Sequence, residues 1–150
     1  SHEKKILYID MDGVLVDFNS GINNLSNKSK KKYLNRFDEV PGIFATMDPI
    51  DGAVDAFNIL IEIFDVYILT TSPWLNNTAL QDKKEWIDDN LGEKAKKRLI
   101  FSHHKNLYKG QFLIDDREAN GVKEFEGEHI HFGTQKFANW EKVLKYLIAV

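Results

Sequence analysis

Apolar and polar positions along the chain switch between two periods. Ile6-Leu7-Tyr8-Ile9, following Lys4 and Lys5, is a short unbroken apolar run of the length of a buried strand. Val66-Tyr67-Ile68-Leu69, Leu99-Ile100-Phe101 and Phe112-Leu113-Ile114 repeat that signature, and His129 to Phe132 offers a fifth. Between these runs the spacing becomes helical. Val54, Phe57, Leu60, Ile61 and Phe64 share one helical face, with Asp51 as the candidate cap. A second helix is expected from about Thr78 to Leu91, stopped by Gly92. Trp140, Val143, Leu144, Leu147 and Ile148 mark a final amphipathic helix. Asn19 to Phe44 differs: it is polar, with a thin apolar set of Leu25, Tyr33, Leu34 and Phe37. One or two short helices are expected there, brought back by Pro41-Gly42 and Asp48-Pro49. Its run Lys28-Ser29-Lys30-Lys31-Lys32 reads as a solvated helix face rather than a binding patch.

Strands alternating with helices predict an α/β fold around a parallel sheet. With 150 residues the chain is one domain, able to bury roughly 70% of its unfolded surface without staples. It contains no cysteine, which excludes disulfides, thiolate zinc sites and cysteine nucleophiles. No apolar run reaches the ~18 residues of a membrane span and no signal peptide is visible, so a soluble cytoplasmic protein is the expectation. Ser1-His2 reads as the remnant of a tag, and the glycosylation-type triplets Asn24-Leu25-Ser26 and Asn76-Asn77-Thr78 as coincidence. The net charge of -3 argues against a nucleic acid polymer as partner.

The chemistry starts where the first run breaks, at Asp10-Met11-Asp12-Gly13. In an extended chain residues two apart point to the same side, so both acids would leave a core strand together. Carboxylates at such a place are costly unless a cation or hydrogen bonds hold them. Taken alone, Asp-x-Asp-Gly reads equally well as a plain turn. A calcium loop of the EF-hand type needs Gly at its sixth and Glu at its twelfth position, which here are Leu15 and Gly21. Open parallel sheets bind ligands beyond the carboxyl ends of their strands. Three strand ends carry polar groups there: Asp10/Asp12, Thr70/Thr71/Ser72 and Asp115/Asp116. That convergence favours a site over a set of turns. Asp10, Asp115 and Asp116 would offer hard oxygens suited to Mg²⁺. Thr71, Ser72 and Lys105, the last following His103-His104, would supply donors to a tetrahedral dianion. Phosphate monoester hydrolysis has an extreme uncatalysed barrier, and positioning with charge neutralisation must lower it. Asp10 is the candidate nucleophile and Asp12 the candidate proton donor, although spacing alone allows the reverse order.

These residues resemble the haloacid dehalogenase superfamily of phosphatases, and more closely the 5'(3')-deoxyribonucleotidases. The resemblance rests on Asp10-Met11-Asp12-Gly13-Val14-Leu15-Val16-Asp17-Phe18, Leu69-Thr70-Thr71-Ser72-Pro73 and Leu113-Ile114-Asp115-Asp116-Arg117. Lys105 lies at the family's lysine spacing ahead of the acidic pair, and Asp48 to Val54 echoes the segment that returns from the cap. It implies a Rossmann-like three-layer α/β/α domain with a central parallel sheet, its core formed by residues 1–18 and 45–150, and a small helical cap at 19–44. It further implies Asp10 as nucleophile and Asp12 as general acid/base, with Thr71, Ser72 and Lys105 at the phosphate. Mg²⁺ would be held by Asp10, the Asp12 carbonyl and the pair Asp115 and Asp116, most directly Asp116. Phe18 and Phe44 would line the nucleoside side. The implied substrate is a deoxyribonucleoside monophosphate, with a sugar phosphate as the alternative; a homodimer is left open. The cap is shorter than in the better-known members.

Other readings rank lower. A signalling receiver domain places its acidic pair on the first strand and its lysine late, the reverse of the order here. A binding pseudoenzyme would not need Asp10, Asp12, Thr71, Lys105 and Asp116 intact. His129 and His131 alternate on a strand, but no further ligand accompanies them. Arg117 is expected to pair with the acidic pair, His103 and His104 to be exposed, and Trp74 and Trp86 to belong to core or rim.

Overall fold

The computed structural model describes residues 3–150, so the Ser1-His2 dipeptide lies outside the described residues. In chain order the regular elements are β1 (Ile6–Ile9), β2 (Val16–Asp17), α1 (Phe18–Asn23), α2 (Asn27–Lys32), β3 (Asp48–Pro49), α3 (Ala53–Ile63), β4 (Asp65–Thr70), α4 (Ala79–Asn90), β5 (Leu99–Phe101), β6 (Phe112–Asp115), β7 (Glu128–His131) and α5 (Trp140–Ile148). The five apolar runs form one all-parallel sheet of order β5-β4-β1-β6-β7. Strand β1 is its centre. Leu7 and Ile9 join the large core that also takes Phe57 and Leu60 of α3 and Val143 and Leu147 of α5. Tyr8, one residue out of phase, joins a second cluster with Leu69, Leu113, Val122 and Phe125. Burial on both faces is why these strands read as continuous apolar runs rather than alternating ones.

The strand order reverses beside β1, with β4 and β5 added on one side and β6 and β7 on the other. Such a switch point opens a crevice beyond the carboxyl ends of the central strands. Asp10 stands at that point.

Residues 19–44 form two short helices and two 3₁₀ turns, at Phe37–Glu39 and Ile43–Ala45. The insert is pinned at both ends: β2 and β3 pair antiparallel, Val16 with Pro49 and Asp17 with Asp48. Its lysines 28, 31 and 32 are exposed. Of its apolar set, Leu25, Tyr33 and Phe37 pack against the core, whereas Leu34 is exposed. Its returning half is anchored more deeply, for Val40, Ile43, Phe44 and Met47 belong to the main core. Asn76 fixes it there, its Nδ2 donating to the carbonyls of Asp38 and Val40, both at 2.9 Å.

One helix start departs from expectation. Helix α3 is capped by Gly52 at φ 80°, with no side-chain cap bond, and not by Asp51. The chain enters the helix through a left-handed turn that glycine adopts without strain. Gly92, at φ 69°, follows the end of α4 as expected and opens a further 3₁₀ turn. No helix among the described residues is long and apolar enough to cross a membrane.

Candidate active site

Beyond β1 the chain does not continue extended. The Met11 carbonyl accepts from the backbone N–H groups of Val14, Leu15 and Val16, at 3.1, 2.8 and 2.9 Å, and Gly13 turns at φ 80°. Asp10 and Asp12 therefore reach the same place by a tight loop rather than by strand alternation. That place is a cavity of about 760 Å³, lined by Asp10, Asp12, Phe18, Phe44, Thr71, Ser72, Lys105, Asp115 and Asp116 among others. The candidate residues from the strand ends and the insert thus share one cavity. Gly13 is sterically required there: a Cβ would overlap the Asp116 carboxylate. Gly13→Ala is expected to destabilise the protein by about 1–3 kcal/mol, from the backbone conformation and the overlap together. Thermal melting of G13A, D116A and the double variant checks this, because truncating Asp116 should restore part of what G13A loses.

Lys105 organises the acids. It follows β5 on a 3₁₀ turn whose backbone N–H donates to the Asn120 carbonyl at 2.8 Å. Its side chain is 3% exposed, and its Nζ donates to Asp10 Oδ1 at 3.0 Å and Asp115 Oδ2 at 2.6 Å. Burial works against this ammonium, but the Asp10 and Asp115 charges outweigh it and hold its pKa above the ordinary value. The acids respond to the same crowding. Burial first, then Asp115 and Asp12, push Asp10 up to about 6 against the pull of Lys105. Burial and the charge of Asp10 push Asp116 up to about 6 as well. Burial also raises Asp115, opposed by Lys105.

One carboxylate oxygen from each of Asp10, Asp115 and Asp116 lies within 4.8 Å of the others. Three oxygens so close, all three acids driven toward protonation, form a donor set that fits a hard divalent cation. Their availability differs. Asp115 has both oxygens bonded, Oδ2 by Lys105 and Oδ1 by the Arg117 backbone N–H at 3.0 Å.

Arg117 is not an ion-pair partner of the acidic pair: its side chain is exposed, and among the described residues it forms no salt bridge. Lys105 pairs with Asp115 instead, approaching it from inside the fold. His129 and His131 stack at 4.8 Å between ring centroids. Their Nε2 atoms meet the carbonyls of Asp115 and Asp116 at 2.9 and 3.0 Å. A carbonyl only accepts, so both imidazoles carry their proton on Nε2 and brace the acidic loop. Trp86 is core and Trp74 an exposed rim residue.

The neutral donors are placed less simply. Thr71 Oγ1 donates to the Ser102 carbonyl at 2.7 Å, so a phosphate taken by this hydroxyl must draw the proton away from Ser102. Phe18 is half-buried and meets Phe44 edge-on at 5.8 Å. Phe44 lines the cavity but is only 2% exposed. Sequence reasoning missed the cation covering it. Lys83 Nζ sits 4.7 Å from the Phe44 centroid and donates to Asp12 Oδ2 at 3.0 Å. A signal existed, since Lys83 shares the stripe of Ala79, Trp86 and Ile87 on α4.

Known proteins resemble this chain over most of its length. A family model described as "5' nucleotidase, deoxy (Pyrimidine), cytosolic type C protein" matches residues 19–145. A Vibrio phage KVP40 protein, provisionally named 5'(3')-deoxyribonucleotidase, is 57% identical over 145 residues, covering 97% of this chain and 85% of that one. The human 5'(3')-deoxyribonucleotidase, cytosolic type, is 28% identical, covering 83% of this chain and 77% of its own. Among solved structures, the provisionally named HAD-hydrolase YfnB from Bacillus subtilis, described as bound to magnesium, superposes with a TM-score of 0.63 at 13% identity, covering 97% of this chain and 99% of that one. The haloacid dehalogenase-like protein SP0104 from Streptococcus pneumoniae gives 0.60 at 14% identity, covering 95% and 90%.

Proposed function

The chain belongs to the 5' nucleotidase, deoxy (pyrimidine), cytosolic type C family of phosphoric monoester hydrolases with the haloacid-dehalogenase fold, and on that premise we propose how its own residues cleave a deoxyribonucleoside monophosphate. The observation that carries this reading is the held carboxylate. Asp10 is fixed through one oxygen by Lys105, in the same cavity as Asp12, Thr71 and Asp116. Its second oxygen attacks phosphorus and forms an aspartyl-phosphate. Asp12 gives its proton to the departing sugar oxygen, then takes one from the water that releases phosphate. Lys105 keeps one of its three N–H groups beyond those given to Asp10 and Asp115, and that one meets a phosphate oxygen. Thr71 and Ser72 bind the remaining oxygens. Asp10, the Asp12 carbonyl and Asp116 would hold Mg²⁺, with Asp115 contributing its charge from behind Lys105. When bound, the ion supplies the positive charge that neutralises these carboxylates and the phosphate oxygens. The 19–44 insert acts as the cap, excluding water, and Phe18 borders the nucleoside with Phe44 as its support. The named relatives support a deoxyribonucleotide over a sugar phosphate.

Removing the cation should be visible without catalysis. Asp10 and Asp116 are raised in the fold to about 6, above the ~3.9 of an unfolded aspartate. Between those values the folded form binds more protons than the unfolded one. Their contribution to stability is therefore lost as pH rises through about 4 to 6. A cation that neutralises them restores it above that window. At 100 times its dissociation constant Mg²⁺ should add about 2.7 kcal/mol, or roughly 5–10 °C in Tm, at pH 7.5 and much less at pH 5. An equal shift at both pH values would contradict this placement of the ion.

Function is tested by phosphate release from a panel of 5'- and 3'-deoxyribonucleotides, ribonucleotides and sugar phosphates, with Mg²⁺ and with EDTA. The expected result is preference for deoxyribonucleotides and loss in EDTA. A flat profile, or a preference for sugar phosphates, would remove the nucleotide assignment.

A further inference from the structure

Helix α4 carries the polar run Gln81-Asp82-Lys83-Lys84-Glu85, in which helical phase alone marks one lysine from the other. The fold separates them completely. Lys84 is exposed and pairs with Asp88, whereas the Lys83 side chain is 0% exposed. A buried ammonium is costly unless each N–H has an acceptor. Lys83 Nζ has three: Asp12 Oδ2 at 3.0 Å, Thr70 Oγ1 at 2.8 Å and the Thr71 carbonyl at 2.9 Å. The Phe44 ring covers it at 4.7 Å. An ammonium has only three donors, so none remains for substrate. This distinguishes Lys83 from Lys105, which gives two to the acids and keeps one. Asp12 shows the complementary pattern: Oδ1 is buried with no hydrogen-bond partner among the described residues, and the side chain, 30% exposed, meets the cavity on the Oδ2 side that Lys83 holds.

We propose that Lys83 is a positioning residue for the general acid: by donating to Asp12 Oδ2, on the side of the carboxyl group that meets the cavity, it fixes that group toward the leaving oxygen of the substrate. The claim rests on the role given to Asp12 above. In the forward step the Asp12 carboxyl O–H bond breaks as the ester P–O bond breaks and the Asp10 O–P bond forms. The proton goes to the departing alkoxide. In the second step water adds to phosphorus, Asp10 leaves, and the Asp12 carboxylate recovers a proton. Lys83 transfers none. It holds the acid in register with Thr70 and Thr71 at the end of β4, and with Phe44 from the insert.

The leaving group provides the test. A 5'-nucleotide expels an alkoxide and needs the proton, whereas p-nitrophenyl phosphate expels a phenolate that leaves without one. Because kcat/KM covers only the steps through leaving-group departure, its ratio for dUMP over p-nitrophenyl phosphate isolates proton donation. Inactive or unfolded enzyme lowers both terms equally and cancels. Lys83→Met is expected to lower the dUMP value about 10²-fold, within the range of general acid catalysis, and the aryl value less than about fivefold. Lys83→Arg should recover part of the ratio. Asp12→Asn is the reference. If D12N shows no leaving-group selectivity, the role of Asp12 itself fails. If D12N is selective but K83M lowers both substrates alike, Asp12 keeps its role and Lys83 loses the one proposed here. Should K83M not accumulate, K83Q, which retains a shorter donor, is judged by the same ratio.

Discussion

Asp10→Asn should abolish phosphate release, lowering kcat on the order of 10⁴–10⁶-fold, while leaving the fold at least as stable as before. Loss of a covalent nucleophile removes a whole reaction path rather than one favourable contact. The stability half follows from the burial of Asp10, which is 7% exposed. Its pKa is raised to about 6, chiefly by burial, so above that pH its ionised form is a burden on the folded state. The neutral amide removes the burden. Lys105 still keeps Asp115 at 2.6 Å. Phosphate release and melting of D10N near neutral pH without divalent cation check both halves. Near-normal turnover would remove the nucleophile assignment, and a large drop in Tm would mean that Asp10 is structural.

Lys105→Met should do the opposite and damage both. Asp10 and Asp115 would be left buried beside Asp116 without the ammonium that now bridges them. Breaking a buried pair by removing one partner costs about 3–5 kcal/mol, against a typical total stability of 5–15. For a chain of this size that is roughly 6–20 °C in Tm. Activity should fall with it, since the same N–H groups orient Asp10 and meet the phosphate. The loss of Tm should shrink when Mg²⁺ is added, because the cation neutralises the same carboxylates. Activity should not return. Melting with and without Mg²⁺, beside phosphate release, separates the two contributions. A K105M protein as stable as the parent would mean that the acids are held by something else.

The strands were legible because a parallel sheet buried on both faces writes itself as unbroken apolar runs, and Leu7, Val66, Leu113 and Ile130 all sit in the core. The carboxyl-end acids were legible for the same reason, since Asp10 and Asp115 each interrupt such a run. What the sequence hid is which partner each acid takes. Asp10 and Asp12, two residues apart, divide between Lys105 and Lys83, which arrive from different connections across the sheet. A long stem carries the Lys83 ammonium from a polar stretch of α4 into the buried side of the site. Arg117 misled in the other direction. Neighbourhood in sequence suggested an ion pair, but only its backbone N–H reaches Asp115. The insert is intermediate, for its short helices were readable. The burial of Phe44 depends on contacts with α4 that no local pattern encodes.

Acid quenching during turnover of dUMP, followed by borohydride reduction and peptide mapping, tests the central chemistry most directly. Borohydride converts an acyl phosphate to homoserine at the residue that carried it. The expected result is substrate-dependent homoserine at position 10 alone, absent when EDTA replaces Mg²⁺. Homoserine at position 12 or 116, or sustained phosphate release with none at position 10, would contradict the account.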